Sequence, residues 1–72
     1  MYTKYWIDDG HIYGPNGYTK SWIDDGHIYL VGGGYTKCWI EDGHIYKIGS
    51  GYTKFYIEDG HIYGPSQQLP WL

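Results

Sequence analysis

The chain repeats one pattern of apolar and polar positions four times. Each copy reads Y-T-K-x-[WY]-I-[DE]-D-G-H-I-Y, and nine of the twelve positions are identical in every copy. The copies open at Tyr2, Tyr18, Tyr35 and Tyr52, at spacings of 16, 17 and 17 residues. This period is too short for the common helical repeats or for a four-stranded propeller blade, but it suits one β-hairpin. The pattern therefore predicts an all-β chain of four tandem β-hairpin repeats.

An Asp-Gly dipeptide lies at the centre of each copy, at Asp9-Gly10, Asp25-Gly26, Asp42-Gly43 and Asp59-Gly60. A two-residue type I′ turn needs positive φ at both central residues, and Asp-Gly between strand-like runs is a strong signal for it. Such a turn fixes the register of the hairpin, so that Asp8 faces His11 in the first copy.

Because side chains alternate along a strand, each hairpin has two different faces. In the first copy, one face carries Tyr2, Lys4, Trp6, Asp8, His11 and Tyr13, and the other carries Thr3, Tyr5, Ile7, Ile12 and Gly14. The variable position lies on the second face and holds Tyr5, Ser21, Cys38 and Phe55, opposite Gly14, Leu30, Lys47 and Gly64. Large residues face glycine and small residues face long side chains, which indicates conserved packing volume. The isoleucine face is therefore predicted to lie inside.

The linkers between copies are short and rich in glycine, so consecutive hairpins are expected to pair antiparallel. The prediction is a single domain, residues 1–72, with repeats 2–17, 18–34, 35–51 and 52–63 and a capping tail, 64–72. Its eight short strands form an up-and-down meander, either a closed small barrel or a hairpin array. The linker register stays open, because Tyr13 can oppose Tyr18 or a residue two further on. In the tail, Leu69, Trp71 and Leu72 are expected to cover apolar surface.

Composition and charge exclude several classes of protein. The net charge is −3 and all five basic residues are Lys, which disfavours a nucleic-acid-binding patch. No apolar run approaches the roughly 20 residues of a membrane helix, and no signal peptide is visible. The single cysteine, Cys38, excludes an internal disulfide and a cysteine-based zinc site. Two origins fit these observations: a cytoplasmic protein, or a fragment from which a signal peptide has been removed.

A carboxylate and a histidine face each other in every hairpin, as Asp8–His11, Asp24–His27, Glu41–His44 and Glu58–His61. Each pair is interpreted as a cross-strand ion pair, the alternatives being acid–base chemistry or zinc held by histidines of neighbouring hairpins. A nucleophilic triad would need an activated Ser or Cys, and Ser21 and Cys38 lie on the opposite face. No enzymatic activity, metal or cofactor is predicted.

Aromatic side chains form a row on the same outer face as these pairs. The first strands contribute Trp6, Trp22, Trp39 and Tyr56; the second strands contribute Tyr13, Tyr29, Tyr46 and Tyr63; Tyr18, Tyr35 and Tyr52 lie nearby. The row can stabilise the sheet through cross-strand pairs. It also suits stacking on sugar rings or a quaternary ammonium group, or a protein interface. The repeat lysines Lys4, Lys20, Lys37 and Lys54 are expected to serve solubility and edge protection.

The repeat motif, over about residues 2–63, resembles the choline-binding or cell-wall-binding hairpin repeats of Gram-positive surface proteins. The matching elements are Gly17-Tyr18, Asp25-Gly26 and Tyr29; Gly34-Tyr35, Asp42-Gly43 and Tyr46; and Gly51-Tyr52, Asp59-Gly60 and Tyr63. The resemblance implies an array of hairpins with aromatic ligand boxes between repeats.

The sequence predicts a non-enzymatic, multivalent recognition module that uses its aromatic and Asp-His-Lys face, with a glycan or cell-wall polymer as a candidate ligand. Repetition suits this role because linked weak sites gain avidity. The alternative is a structural or self-assembling protein whose aromatic face forms a homo-oligomer interface.

Overall fold

The computed structural model describes residues 1–72 as eight antiparallel strands that follow one another around a closed barrel. The strands are β1 (Tyr2–Asp8), β2 (His11–Gly14), β3 (Gly17–Asp24), β4 (His27–Leu30), β5 (Gly34–Glu41), β6 (His44–Lys47), β7 (Gly51–Glu58) and β8 (His61–Tyr63). The predicted all-β meander is confirmed, and it closes because β8 pairs with β1. Closure removes both sheet edges. The chain contains no helix capable of spanning a membrane.

The four Asp-Gly turns have the predicted type I′ geometry. The aspartates have φ of 51 to 54° and the glycines that follow have φ of 79 to 80°. Each turn is also bonded to the next hairpin: the Ile23 N–H donates to the Gly10 carbonyl at 2.7 Å, and equivalent bonds cross the other three seams. Asp-Gly thus reverses the chain and fastens neighbouring hairpins.

A bulge at each seam between hairpins resolves the linker register. Tyr13 opposes Tyr18, yet the neighbouring Ile12 opposes Ser21, so two residues of β3 have no partner. Thr19 bridges the gap, because its hydroxyl donates to the Ile12 carbonyl at 2.7 Å and accepts the Ser21 N–H at 3.1 Å. An offset of two residues preserves the two faces of the sheet. Repeated at four seams, it also staggers the strands as closure requires.

The same bulge occurs at every seam, including the closing seam of β1 and β8. The residues that follow the bulge threonines, Lys4, Lys20, Lys37 and Lys54, all have φ of 69 to 73°. Such left-handed backbone is uncommon outside glycine. The invariant Thr-Lys pair is therefore a structural element of the repeat, in which the threonine supplies the hydrogen bonds and the lysine takes the unusual backbone conformation.

The isoleucine face lines the interior, as predicted. The isoleucines of the second strands, Ile12, Ile28, Ile45 and Ile62, are at most 1% exposed. Those of the first strands, Ile7, Ile23, Ile40 and Ile57, are half-buried beside the turns and pack against this central layer. The barrel is consequently filled at its centre and more open at the end formed by the Asp-Gly turns, the turn end.

The opposite end of the barrel, the linker end, is packed unequally. A Cβ atom built at Gly14 lies 2.5 Å from the Tyr5 ring, and one at Gly64 lies 2.1 Å from the Phe55 ring, so each ring occupies the space that its glycine leaves. In the second and third hairpins, the residues equivalent to these rings are Ser21 and Cys38, which are small and fully buried. The tail packs beside them. Leu69 is 1% exposed and joins the core, whereas Leu72 remains 43% exposed.

Candidate functional site

The outer surface carries a cluster of four rings at each seam. At the first seam, Trp6 stacks on Tyr13 across the hairpin, with centroids 5.9 Å apart and planes inclined by 16°. Tyr13 contacts Tyr18 of the next hairpin at 5.5 Å. His11 lies edge-on against Tyr18, also at 5.5 Å. Each cluster therefore spans two hairpins and depends on the seam between them.

The arrangement recurs with little change around the barrel. The other clusters are Trp22, Tyr29, Tyr35 and His27; Trp39, Tyr46, Tyr52 and His44; and Tyr56, Tyr63, Tyr2 and His61. Their stacked pairs have centroid separations of 4.6, 5.5 and 5.4 Å. Together the four clusters form what we call the ring belt.

The structure brings one further residue to the ring belt that the sequence-based set of candidates lacks. Tyr2 contacts Tyr63 at 5.5 Å and His61 at 5.4 Å across the closing seam. Its place in the repeat, equivalent to Tyr18, is the signal for this role. That signal becomes specific only when the barrel is known to be closed.

The aromatic rings of the belt range from half-buried to exposed. Trp6 is 38% exposed, Tyr18 39% and Tyr52 42%. Exposed aromatic rings that form a contiguous patch are typical of an interaction surface. The principal extents of the protein are 29 × 28 × 19 Å, so the belt surrounds a short, wide body.

The carboxylate and histidine of each hairpin are direct backbone partners, as predicted, but they are not hydrogen-bonded to each other. Asp8 pairs with His11 in the sheet, and the other three pairs match. No side-chain hydrogen bond joins any of these pairs. The imidazoles contact the tyrosines of the next hairpin instead. No group of three or more His, Cys, Asp or Glu side chains is placed to hold a metal ion.

Charge is strongly divided between the two ends of the barrel. All eight carboxylate side chains belong to the turns or the residues before them, at the turn end. The lysines belong to the other half: the Lys20 carbonyl accepts the N–H of the linker residue Val31 at 2.9 Å, and Lys37 bonds Ile48 in the same way. Every ring cluster therefore has an acidic and a basic border, which suits a polar ligand.

The potential nucleophiles lie inside the barrel, away from the histidines. Ser21 and Cys38 are both fully buried. Burial raises the pKa of the Cys38 thiol, although the neighbouring Thr36 hydroxyl and the charge of Lys47 act in the opposite direction. The Ser21 hydroxyl accepts a hydrogen bond from the Trp71 indole at 2.9 Å.

One concave site is present, and it is small. This cleft of about 210 Å³ lies at the linker end and is lined by Tyr5, Gly14, Pro15, Asn16, Gly17, Tyr18, Thr19 and Leu72. Pockets for small molecules usually measure about 300–1,000 Å³. The open ring belt is therefore a better candidate binding site than this cleft.

Comparison of the chain with protein-family models, with curated proteins and with solved structures finds no match.

Proposed function

We propose that the chain is a non-enzymatic, multivalent recognition module whose four ring clusters bind the sugar rings of a glycan or cell-wall polymer. The observation that carries the proposal is a stacked aromatic pair, half-buried or exposed, that recurs at every seam. A Trp or Tyr ring offers an apolar face to the C–H groups of a sugar, and its polar edge can bond hydroxyl groups. Histidine and carboxylate side chains at the border of each cluster add further partners for hydroxyl groups.

The alternative, self-association through the same face, is less well supported by the arrangement of the clusters. The eight strands close into one ring, so the clusters point outward in four directions, about a quarter turn apart. A dimer that covers one cluster leaves the other three exposed. Only an assembly that extends in the plane covers all of them, whereas separate ligand molecules cover every cluster of a monomer.

The positions of the four clusters also determine whether several of them can bind one polymer chain. Clusters on opposite sides of a rigid barrel cannot lie on one straight polymer, and avidity is lost where geometry forbids simultaneous contact. We therefore expect the module to cross-link polymer chains. Short oligosaccharides occupy the clusters independently, while polymers form networks.

A glycan array with the parent protein and a set of cluster variants tests the proposal. We expect Trp6→Ala, Trp22→Ala and Trp39→Ala each to weaken binding, and the triple variant to abolish cross-linking of the recognised polymer. Val31→Ser and Ile48→Ser are matched controls, because these residues are exposed at the linker tips outside the belt, at 59% and 55%. Thermal melts establish that each variant is folded.

Two outcomes contradict the proposal. One is a folded parent that binds no glycan. The other is a stable oligomer, seen by light scattering, that dissociates in the tryptophan variants and remains intact in the two controls. The second outcome establishes the alternative, self-assembly.

A further inference from the structure

The C-terminal tail is attached to the barrel as a short peptide, without strand pairing. Three consecutive residues of the tail make its buried apolar contact and its side-chain hydrogen bonds with the barrel. Leu69 is buried in the core, the Lys47 ammonium group donates to the Pro70 carbonyl at 3.3 Å, and the Trp71 indole donates to the Ser21 hydroxyl at 2.9 Å. One apolar anchor and two directed hydrogen bonds are typical of the recognition of a short segment by a preformed site.

The barrel deviates from its own repeat where this segment packs. The variable position is an aromatic ring in the first and fourth hairpins, but it is Ser21 in the second and Cys38 in the third. These hairpins are neighbours in the barrel, and Lys47 is the strand partner of Cys38. The two small residues and Lys47 thus form one receptor site on one side of the linker end.

The connection between barrel and tail is independent of this site. Pro65, Ser66, Gln67 and Gln68 are all exposed. The side-chain hydrogen bonds of this connector stay within the tail, from the Gln68 N–H to Ser66 and from the Gln68 side chain to the Leu72 carbonyl. The connector can therefore leave the barrel surface without breaking a hydrogen bond to it.

We propose that this receptor site is a peptide-binding site for Leu-Pro-Trp segments, which the chain's own tail fills in the monomer and the tail of a second copy fills after exchange. Exchange of an identical element preserves its contacts and is a common route to dimers. A short connector gives the attached tail an effective concentration on the order of mM, so the monomer predominates until the connector is shortened.

Deletion of Gln67 and Gln68 in the full chain tests the exchange, because it shortens the connector by up to about 7 Å. We expect the variant to become a dimer or larger oligomer by light scattering, and Leu69→Ser added to it to restore the monomer. A folded deletion variant that remains monomeric overturns the exchange. An oligomer that persists with Leu69→Ser overturns it equally.

A second measurement tests the receptor site without any deletion. A labelled peptide, Gln-Gln-Leu-Pro-Trp-Leu, is titrated into the full-length parent and into Trp71→Ala, in which the attached tail competes less. We expect the peptide to bind the variant at least about tenfold more tightly, and to lose binding when its first leucine is replaced by serine. Equal binding to both proteins, or none to the folded variant, contradicts the proposal.

Discussion

The two ends of the barrel are built from the same four hairpins but have opposite properties. At the turn end, every copy keeps Asp-Gly, a carboxylate, a histidine and an isoleucine. At the linker end, the loops differ in length, the interior residue is Tyr, Ser, Cys or Phe, and a tail packs into one side. The turn end is open and repetitive, whereas the linker end is closed and irregular.

The difference follows from the hydrogen bonds that each end forms between neighbouring hairpins. A turn glycine supplies its carbonyl to the isoleucine of the next hairpin, at 2.6 to 2.8 Å in all four seams, so one change disturbs two hairpins. The linkers carry no such repeated bond between hairpins. The linker end also has only three loops, because the fourth position holds the two chain ends, where the Gly64 N–H donates to the Met1 carbonyl at 2.9 Å. The turn end thus repeats one bond at all four seams, and the single site that holds the tail lies at the end without such a repeat.

The first prediction, with the largest expected effect, compares the loss of stability on substitution at the filled centre with that at the open turn end. Ile28 is fully buried, and its strand partner Ile23, which bonds the turn glycine of the preceding hairpin, is half-buried. We expect Ile28→Ala to lower the free energy of unfolding by about 2–5 kcal/mol and Ile23→Ala by clearly less, because less surface and fewer contacts are lost. Urea denaturation measures both. Equal losses mean that the turn end is packed as tightly as the centre.

The sequence predicts features that one repeat determines by itself. The turn type, the hairpin register and the inward direction of the isoleucines follow from Asp-Gly and from alternation along a strand. The Thr-Lys bulge does not, because a two-residue offset leaves the faces unchanged and therefore no hydrophobic signal. The contact between Trp71 and Ser21 lies beyond any local pattern, since the two residues are far apart in the chain and the tail has no periodicity. Tyr2 joins the ring belt only through closure.

The second prediction concerns a variant in which the linker end follows the repeat more closely. Ser21→Phe combined with Leu30→Gly gives the second hairpin the residue pair of the fourth, Phe55 and Gly64. We expect a loss of about 1–3 kcal/mol, because the new ring competes with Leu69 for space and Trp71 loses its acceptor. Fluorescence of Trp71 shifts towards that of exposed indole. Phe55→Tyr, which reproduces the ring of Tyr5, is the control and should cost less than about 1.5 kcal/mol. A double variant as stable as the parent contradicts the account of this site.

The third prediction compares glycines with similar backbone conformation at the two ends. Gly26 has φ of 80° in a turn, and Gly32 has φ of 83° in a linker. Valine is strained at either position, at a cost of about 1 kcal/mol or more. At Gly26 the added Cβ also lies 3.2 Å from the Ile40 carbonyl, whereas nothing lies within 4 Å at Gly32. We therefore expect Gly26→Val to lower the melting temperature more than Gly32→Val. A parent melt unchanged by Gly26→Val is incompatible with the type I′ turn.

The smallest effect concerns Cys38, a buried titratable group at the linker end. Burial raises the pKa of its thiol above the ordinary value of 9.0, so the folded chain keeps a proton that the unfolded chain loses. The resulting stabilisation is present below the unfolded pKa and is lost as the pH rises through the folded pKa, with a slope of at most about 1.4 kcal/mol per pH unit. The Cys38→Ala variant has no thiol, so its free energy of unfolding lacks this dependence on pH.

The measurement is the free energy of unfolding of the parent and of Cys38→Ala between about pH 8 and pH 10. Desolvation raises the pKa of Tyr35 as well, and the charge of the Cys38 thiolate adds to that rise. The difference between the two proteins therefore reports the thiol together with its effect on Tyr35. We expect the advantage of the parent over Cys38→Ala to shrink as the pH rises across this interval. A constant difference would show that the thiol is no more protected in the folded barrel than in the unfolded chain, and that the linker end is open to water like the turn end.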